Sequence, residues 1–385
     1  MKADLLKKFR DHFQREATDL FFCPGRVNLI GEHIDYNGGK VMPCAISKGT
    51  YLAVTKNTDK IIRFACMDFP EKAELHIQSS YSKTGKQWFN YPLGIIDHLL
   101  RNGYELSGLD LLFAGDLPVG AGLSSSASIE VLTLFALNEL YGFGISKVDM
   151  VLAAKKVENE FIGVNCGIMD QFAVAMGKKN KAILLDCDTL QYEFIPFETG
   201  EYALVIINTN KQRALADSKY NERFTECGAA LKALKNELRI EKLCDLDERT
   251  FEMHQHLIQN EILVKRARHV ISENERVRKA AIALKAGDIS VFGSLMFASH
   301  QSLKEWYEVS GAELDTIVEF AMNYAGCIGA RMTGAGFCGC AIALVQKNTV
   351  NDFAGKLGSV YKNKIGYAPS FFVSEAEEGV RGIKV

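Results

Sequence analysis

Apolar residues recur along this chain with changing spacing, and each spacing forecasts an element. Near the start, Leu5, Leu6, Phe9 and Phe13 fall at helical spacing among charged residues. Residues 20–24 then read as a short apolar strand leading into a glycine-rich turn. Residues 41–55 carry Ile46, Tyr51, Ala53 and Val54 in a pattern suited to strand pairing. Residues 61–64 and 109–114 read as further strands, with a polar loop at 81–86 between them. Trp88 and Tyr91 open a helix that runs through Ile95, Ile96 and Leu99. A later helix is nearly all apolar (Ile129, Val131, Leu132, Leu134, Phe135, Leu137), so it must be buried on most faces. Residues 146–161 form the next helix, where Ser146 and Asp149 resemble a capping box. A strand at 203–208 opens the second half, followed by a helix at 217–236 and amphipathic helices as far as residue 325. Their His, Lys and Arg residues read mostly as solvated faces. Residues 327–345 form a glycine-rich hairpin, and 371–374 a closing strand. The order of strands and helices makes this an α/β chain of the α+β type.

Composition narrows the picture without deciding it. A chain of 385 residues holds two domains, or one large one with insertions. The formal net charge of -2 gives no reason to expect nucleic acid or an anionic membrane as partner. Ten cysteines lack zinc-ligand or CxxC spacing, which fits reduced thiols in a cytoplasmic protein. The N-terminal segment lacks the apolar core of a signal peptide, and no apolar run is long enough to span a bilayer.

Three segments break the apolar rhythm with residues that carry chemistry. Residues 25–39 read GRVNLIGEHIDYNGG, crowding Arg26, Asn28, Glu32, His33, Asp35 and Asn37 among glycines. Glycines at that density turn the backbone sharply and let it approach a ligand. Carboxylates accept from hydroxyl groups and imidazole donates or accepts, so the segment suits a polyol. Residues 115–128, GDLPVGAGLSSSAS, join a strand to the start of the apolar helix. Free N–H groups at such a helix N-terminus make an anion site, and its serines offer hydroxyl donors or a metal ligand. The loop is not a Walker A sequence, since no Gly-Lys-[Ser/Thr] ending is present. Residues 327–345 hold Gly334, Gly336 and Gly339 in a turn whose amides can reach a phosphate. Asp170, set among Ile168, Met169, Phe172 and Val174, either caps a turn or does chemistry.

In this order the three segments resemble those of the GHMP small-molecule kinases, which act on galactose, homoserine, mevalonate and phosphomevalonate. The first looks like the galactokinase motif, with Ile34 in place of the customary threonine. VGAGLSSSAS and GARMTGAGFCGC match the second and third motifs, and CGIMDQF and RARHVISENERV agree further. The likeness spans essentially the whole chain. It implies the two-domain GHMP kinase fold, with a left-handed βαβ unit in an N-terminal domain (1–200), a C-terminal domain (201–385) and the active site between them.

The resemblance also distributes roles. Asp170 falls on the catalytic base and Arg26 on the residue between base and phosphoryl group. Glu32, His33, Ile34, Asp35, Gly167 and Tyr220 fall on the galactose site. Gly120, Ala121, Gly122, Leu123, Ser124, Ser125 and Ser126 match the ATP phosphate loop, and Cys66, Trp88 and Tyr91 match positions around the adenine. Ser126 and Glu158 match the Mg²⁺ ligands. The activity implied is transfer of the γ-phosphoryl of ATP to the C1 hydroxyl of D-galactose, in galactose catabolism, by a cytoplasmic monomer. An N-acetylgalactosamine kinase and a non-catalytic galactose sensor stay open as alternatives. Cys338, where the family has glycine, is expected to face the triphosphate or the hydrophobic side of its hairpin.

Overall fold

In the computed structural model, which describes residues 1–118, 120–211 and 216–384, thirteen strands form three sheets. The strands are β1 (Asp19–Asn28), β2 (Lys40–Val41), β3 (Pro43–Asn57), β4 (Ile61–Cys66), β5 (Ala73–His76), β6 (Gly108–Gly115), β7 (Lys181–Asp186), β8 (Tyr192–Pro196), β9 (Tyr202–Asn208), β10 (Cys327–Thr333), β11 (Cys340–Gln346), β12 (Ser370–Ser374) and β13 (Arg381–Ile383). The helices are α1 (Lys2–Phe13), α2 (Asn90–Arg101), α3 (Ser125–Tyr141), α4 (Lys147–Val157), α5 (Met169–Met176), α6 (Ala216–Leu234), α7 (Glu248–His254), α8 (Glu261–Lys285), α9 (Ile289–Ser302), α10 (Ala312–Met322) and α11 (Val350–Ile365).

The largest sheet runs β13-β1-β3-β6-β4-β5, antiparallel except where β4 pairs parallel with β6 through the helical crossover α2. Its two faces follow the period of two along each strand. Leu20, Ala53 and Leu112 turn to one side, where Leu5 and Phe9 of α1 cover them. Phe21, Cys23, Leu52, Val54, Leu111 and Phe113 turn to the other and meet the apolar helix α3. Burying Leu5 and Phe9 contributes roughly 1.5–3 kcal/mol each, enough to fix an otherwise polar helix. A second sheet, β2-β7-β8, and a third, β10-β11-β9-β12, complete the fold, with α9 and α10 against β10. Among the described residues no helix is long and apolar enough to cross a membrane.

Three readings of the pattern need correction, and one a refinement. The first strand does not stop at residue 24 but continues through Gly25, Arg26 and Asn28. It continues because Gly25 lies against the 120s loop, where an added Cβ would sit 2.6 Å from the Leu123 carbonyl. Trp88 precedes α2 rather than belonging to it. The helical His and Arg residues are not all solvated: Arg223, Arg266, His269 and His300 are buried, each paired with a polar partner. Finally, the closing strand is β13, which returns to pair with β1 in the first sheet. Three residues so near the end carry too little pattern to announce a strand.

Candidate active site

Arg26 organises the site. It leaves the end of β1, is almost fully buried, and grips Asp170 with two bonds, Nε to Oδ1 at 2.8 Å and Nη2 to Oδ2 at 2.7 Å. Its third arm, Nη1, donates to the Gly122 carbonyl at 2.7 Å. One guanidinium therefore joins the strand, the glycine-serine loop and the aspartate, using the fixed fork that makes arginine suited to such duty. Asp170 stands in the first turn of α5, and Ser124 Oγ donates to its Oδ2 at 2.6 Å. A carboxylate offers about four lone-pair positions. Arg26 and Ser124 take at least three of them, and Arg26 Nη2 lies between the two oxygens, 2.6 Å from Oδ1. The Asp170 side chain keeps 29% of its exposure, facing a cavity of about 340 Å³.

Across that cavity lie the residues of the 29–39 turn. Asp35 is half-buried; burial and the like charge of Asp170 push its carboxyl up to about 6. An added Cβ at Gly167 would overlap Asp35 Oδ2, so a side chain there would displace the carboxylate. Glu32 also lines the cavity, and burial pushes it up to about 6 as well. Its oxygens already accept from Asn28 Nδ2, from Arg331 Nη1 at 2.7 Å and from the Gly334 amide at 2.7 Å. The Gly334 amide is thus spent on Glu32 and is not free for phosphate. His33 has a left-handed backbone (φ 62°) and presents its ring to the cavity beside Tyr220. Both its nitrogens are engaged: Nε2 donates to the Ala335 carbonyl at 3.1 Å, and Nδ1 accepts from Tyr36 Oη at 2.8 Å. Burial holds its pKa down to about 4, so the ring is neutral and acts as wall rather than hydrogen-bonding group.

The loop between β6 and α3 closes the cavity. Gly120, Gly122, Leu123, Ser124, Ser125 and Ser126 line it, while Ala121 is buried in the core. α3 begins at Ser125, and the side chain of its N-cap residue, Ser124, does not cap it. The serine hydroxyl goes to Asp170 instead, so the first-turn N–H groups stay available to an anion. Ser126 hydrogen-bonds Glu158, which sits where α4 gives way to a wider turn. Burial raises the Glu158 carboxyl, and Gln171 Nε2 donates to its Oε2. Glu130, one turn along α3 from Ser126, is a second buried carboxyl nearby and is raised well above its usual range by burial and by Glu158.

The galactokinase galactose-binding signature matches residues 7–56, and the N- and C-terminal domain models of the GHMP kinases match residues 90–178 and 280–363. A galactokinase of Enterococcus faecalis is 50% identical over 384 residues, covering 99% of both chains. One from Streptococcus thermophilus is 48% identical over 382 residues, covering 98% of each. The chain belongs to the galactokinase family. The crystal structure of Lactococcus lactis galactokinase complexed with galactose superimposes with a TM-score of 0.96 at 45% identity, covering 99% of this chain and 100% of that one. A mevalonate kinase of Methanococcus jannaschii shares the fold at a TM-score of 0.68 and 20% identity, covering 93% of this chain and 98% of its own.

Not every residue singled out by the galactokinase pattern reaches the cavity. Ile34 turns its side chain fully into the core, against Gly39. The isoleucine therefore removes no hydroxyl from the cavity wall. Cys66 pairs in register with Phe113, and the Trp88 ring packs edge-on against the same Phe113 at 5.6 Å. With Tyr91 on the first turn of α2, they lie outside this cavity, the first two beside the end of β6 where the glycine-serine loop departs. Cys166, the first residue of CGIMDQF, lines it, and Gly163, Val164, Asn165 and Asn221 do so unannounced by the pattern. Their only signal was position, in the stretch between Glu158 and Asp170 and beside Tyr220.

Cys338 is buried and does not line the cavity; the left-handed residue of its turn is Phe337 (φ 61°). Brief iodoacetamide treatment followed by peptide mapping should leave Cys338 unlabelled with or without ATP. Labelling there that ATP suppresses would contradict this placement.

Proposed function

We propose that the chain works as a galactokinase, moving the γ-phosphoryl group of ATP to the C1 hydroxyl of D-galactose and releasing galactose 1-phosphate and ADP. The observation that carries this reading is the Arg26–Asp170 pair, set between the phosphate loop and Asp35 in one cavity. A sugar hydroxyl is a weak nucleophile, and the part of the Asp170 carboxylate exposed to the cavity is placed to accept its proton. The hydroxyl oxygen then attacks the γ-phosphorus, and the bond to the bridging oxygen breaks with its electrons leaving on ADP. Proton acceptance contributes roughly 10²–10⁴-fold. Arg26 and the start of α3 meet the negative charge of the phosphates, which is where most of the remaining acceleration arises. Asp35 accepts from sugar hydroxyls, and the rings of His33 and Tyr220 shape the wall. Cys66, Trp88 and Tyr91 flank the nucleotide base beyond the loop.

Ser126 and Glu158 bring hard oxygen donors together beside the phosphate loop, a donor set that suits Mg²⁺. Among the described residues no group of three or more His, Cys, Asp and Glu forms a metal cage. That agrees with an ion that takes one or two carboxylates and completes its shell with substrate phosphates and water. Bound there, Mg²⁺ would neutralise phosphate charge. Glu158→Gln should raise the Mg²⁺ concentration for half-maximal activity several-fold, and an unchanged metal titration would remove Glu158 from that role.

In this reading residues 1–200 supply the sugar turn and phosphate loop, and residues 201–385 supply Tyr220 and the 334–339 turn. None of the ten cysteines is joined in a disulfide, in keeping with the cytoplasm. The site of transfer is tested by ³¹P NMR of the product: coupling to the anomeric proton is expected, and phosphate on any other carbon would overturn the reading.

A further inference from the structure

The pattern reading left Arg331 without a role, yet it is among the most deeply buried charges in the molecule. It belongs to β10, in the second half of the chain, and no part of its side chain reaches solvent. Its Nη1 donates to Glu32 Oε2 at 2.7 Å and to the Asn28 carbonyl at 3.1 Å. Its Nη2 lies 3.8 Å from Glu273 Oε1, and neither Nε nor Nη2 has a hydrogen-bond acceptor. A buried cation with two unsatisfied donors is costly and is held in place by the carboxylates beside it.

The two carboxylates are not equivalent. Glu273, on α8, has a second arginine: Arg276 Nε donates to its Oε2 at 2.7 Å. It also accepts from Ser299 Oγ and, at 2.9 Å, from the backbone amide of Gly31 in the sugar turn. Burial alone would raise its pKa, but Arg276 and Arg331 bring it down to about 2. Glu32 has Arg331 alone. The other titratable groups around Glu32 give it no cation. His33 on its own turn and His269 on α8, whose Nε2 donates to the Glu32 carbonyl at 3.2 Å, are both held neutral by burial. Burial likewise lowers His300 on α9, and Arg26 is committed to Asp170 across the cavity. Asp35 is a like charge. Without Arg331, Glu273 would keep a partner and Glu32 would take up a proton. A protonated Glu32 would turn an O–H toward the Asn28 and Gly334 donors it now accepts from.

We propose that Arg331 is a positioning residue for sugar recognition: placed between Glu32 and Glu273, it fixes Glu32 as an ionised acceptor on the cavity wall. The proposal rests on the reading of the cavity as the galactose site. It separates from the nucleotide side, because none of the groups Arg331 touches belongs to the phosphate loop.

Steady-state kinetics of R331M, R331K, E32Q and E32Q/R331M test this, with galactose and ATP varied separately. R331M should raise the KM for galactose at least about tenfold, the equivalent of one charge-assisted hydrogen bond, and leave that for ATP within about twofold. R331K should recover part of the loss, and E32Q/R331M should be no worse than E32Q, since both changes remove one interaction. If R331M does not fold, R331K and the neutral pair E32Q/R331M read the same coupling. The acid limb of kcat/KM for galactose gives a second readout. Asp35 titrates in the same range, so the wild-type limb alone does not assign it, but only Glu32 touches Arg331. R331K should move that limb to higher pH. Equal rises in both KM values, additive losses in the double variant, or an unmoved limb would each reduce Arg331 to a packing role. Absence of galactose turnover in the unaltered enzyme would instead refute the functional reading beneath it.

Discussion

Asp170→Asn lowers kcat by at least about 100-fold and changes the KM for galactose only slightly, because the amide keeps the shape but accepts no proton. The geometry gives the reason. Arg26 and Ser124 fix the carboxylate, and its exposed part faces the cavity. In the asparagine variant one arginine N–H would face an amide N–H, so some loss of positioning accompanies the lost base. Arg26→Ala should depress kcat strongly as well, and the double variant should lose less than the sum, since the two act on one transition state. Near-normal turnover by Asp170→Asn would take the base role from this residue.

Asp35→Ala raises the KM for galactose far more than that for ATP. Each charged hydrogen bond lost is worth roughly 1.5–3 kcal/mol, so one bond alone gives about a tenfold to hundredfold rise. Asp35 is the only carboxylate of the 29–39 turn whose oxygens are not already committed to an arginine and an amide, which makes it the main acceptor for the sugar. Its carboxyl, pushed up to about 6 by burial and by Asp170, also sets a pH dependence. The ionised form accepts from hydroxyls, so kcat/KM for galactose should be full well above pH 6 and fall as the pH drops through that value. Gly167→Ala should copy the KM defect without touching the carboxylate's chemistry, because its methyl would displace Oδ2. A galactose KM that stays fixed in both variants, with ATP KM raised, would reassign the turn to the nucleotide.

Much of the fold was legible in the chain because its elements are strongly periodic. α3, apolar on most faces, reads as a central buried helix, and the 115–128 stretch before it as its entry. The site was less legible, for reasons that lie in tertiary structure. Arg26 and Asp170 are 144 residues apart, and nothing local to either indicates the other. Ser124 reads as an N-cap, yet its backbone sits in the left-handed region and its hydroxyl serves Asp170. His33 reads as a hydroxyl-binding group, but Tyr36 and the Ala335 carbonyl consume both nitrogens. The buried charges of α8 pass for a solvated face because periodicity does not register where a partner arginine arrives from β10. β13 is invisible for a simpler reason: its strand character comes from the edge of β1 that it covers.

The central claim is that one cavity holds galactose against Asp35 and presents its hydroxyl to Asp170 beside the phosphate loop. The most direct measurement is ADP release by the unaltered protein with Mg²⁺ and ATP, coupled to a reporter enzyme, across galactose, N-acetylgalactosamine, glucose and mannose. Turnover with galactose, exceeding the other three by at least an order of magnitude in kcat/KM, is the expected result. ADP release that ignores the sugar offered, or that favours N-acetylgalactosamine over galactose, would contradict it.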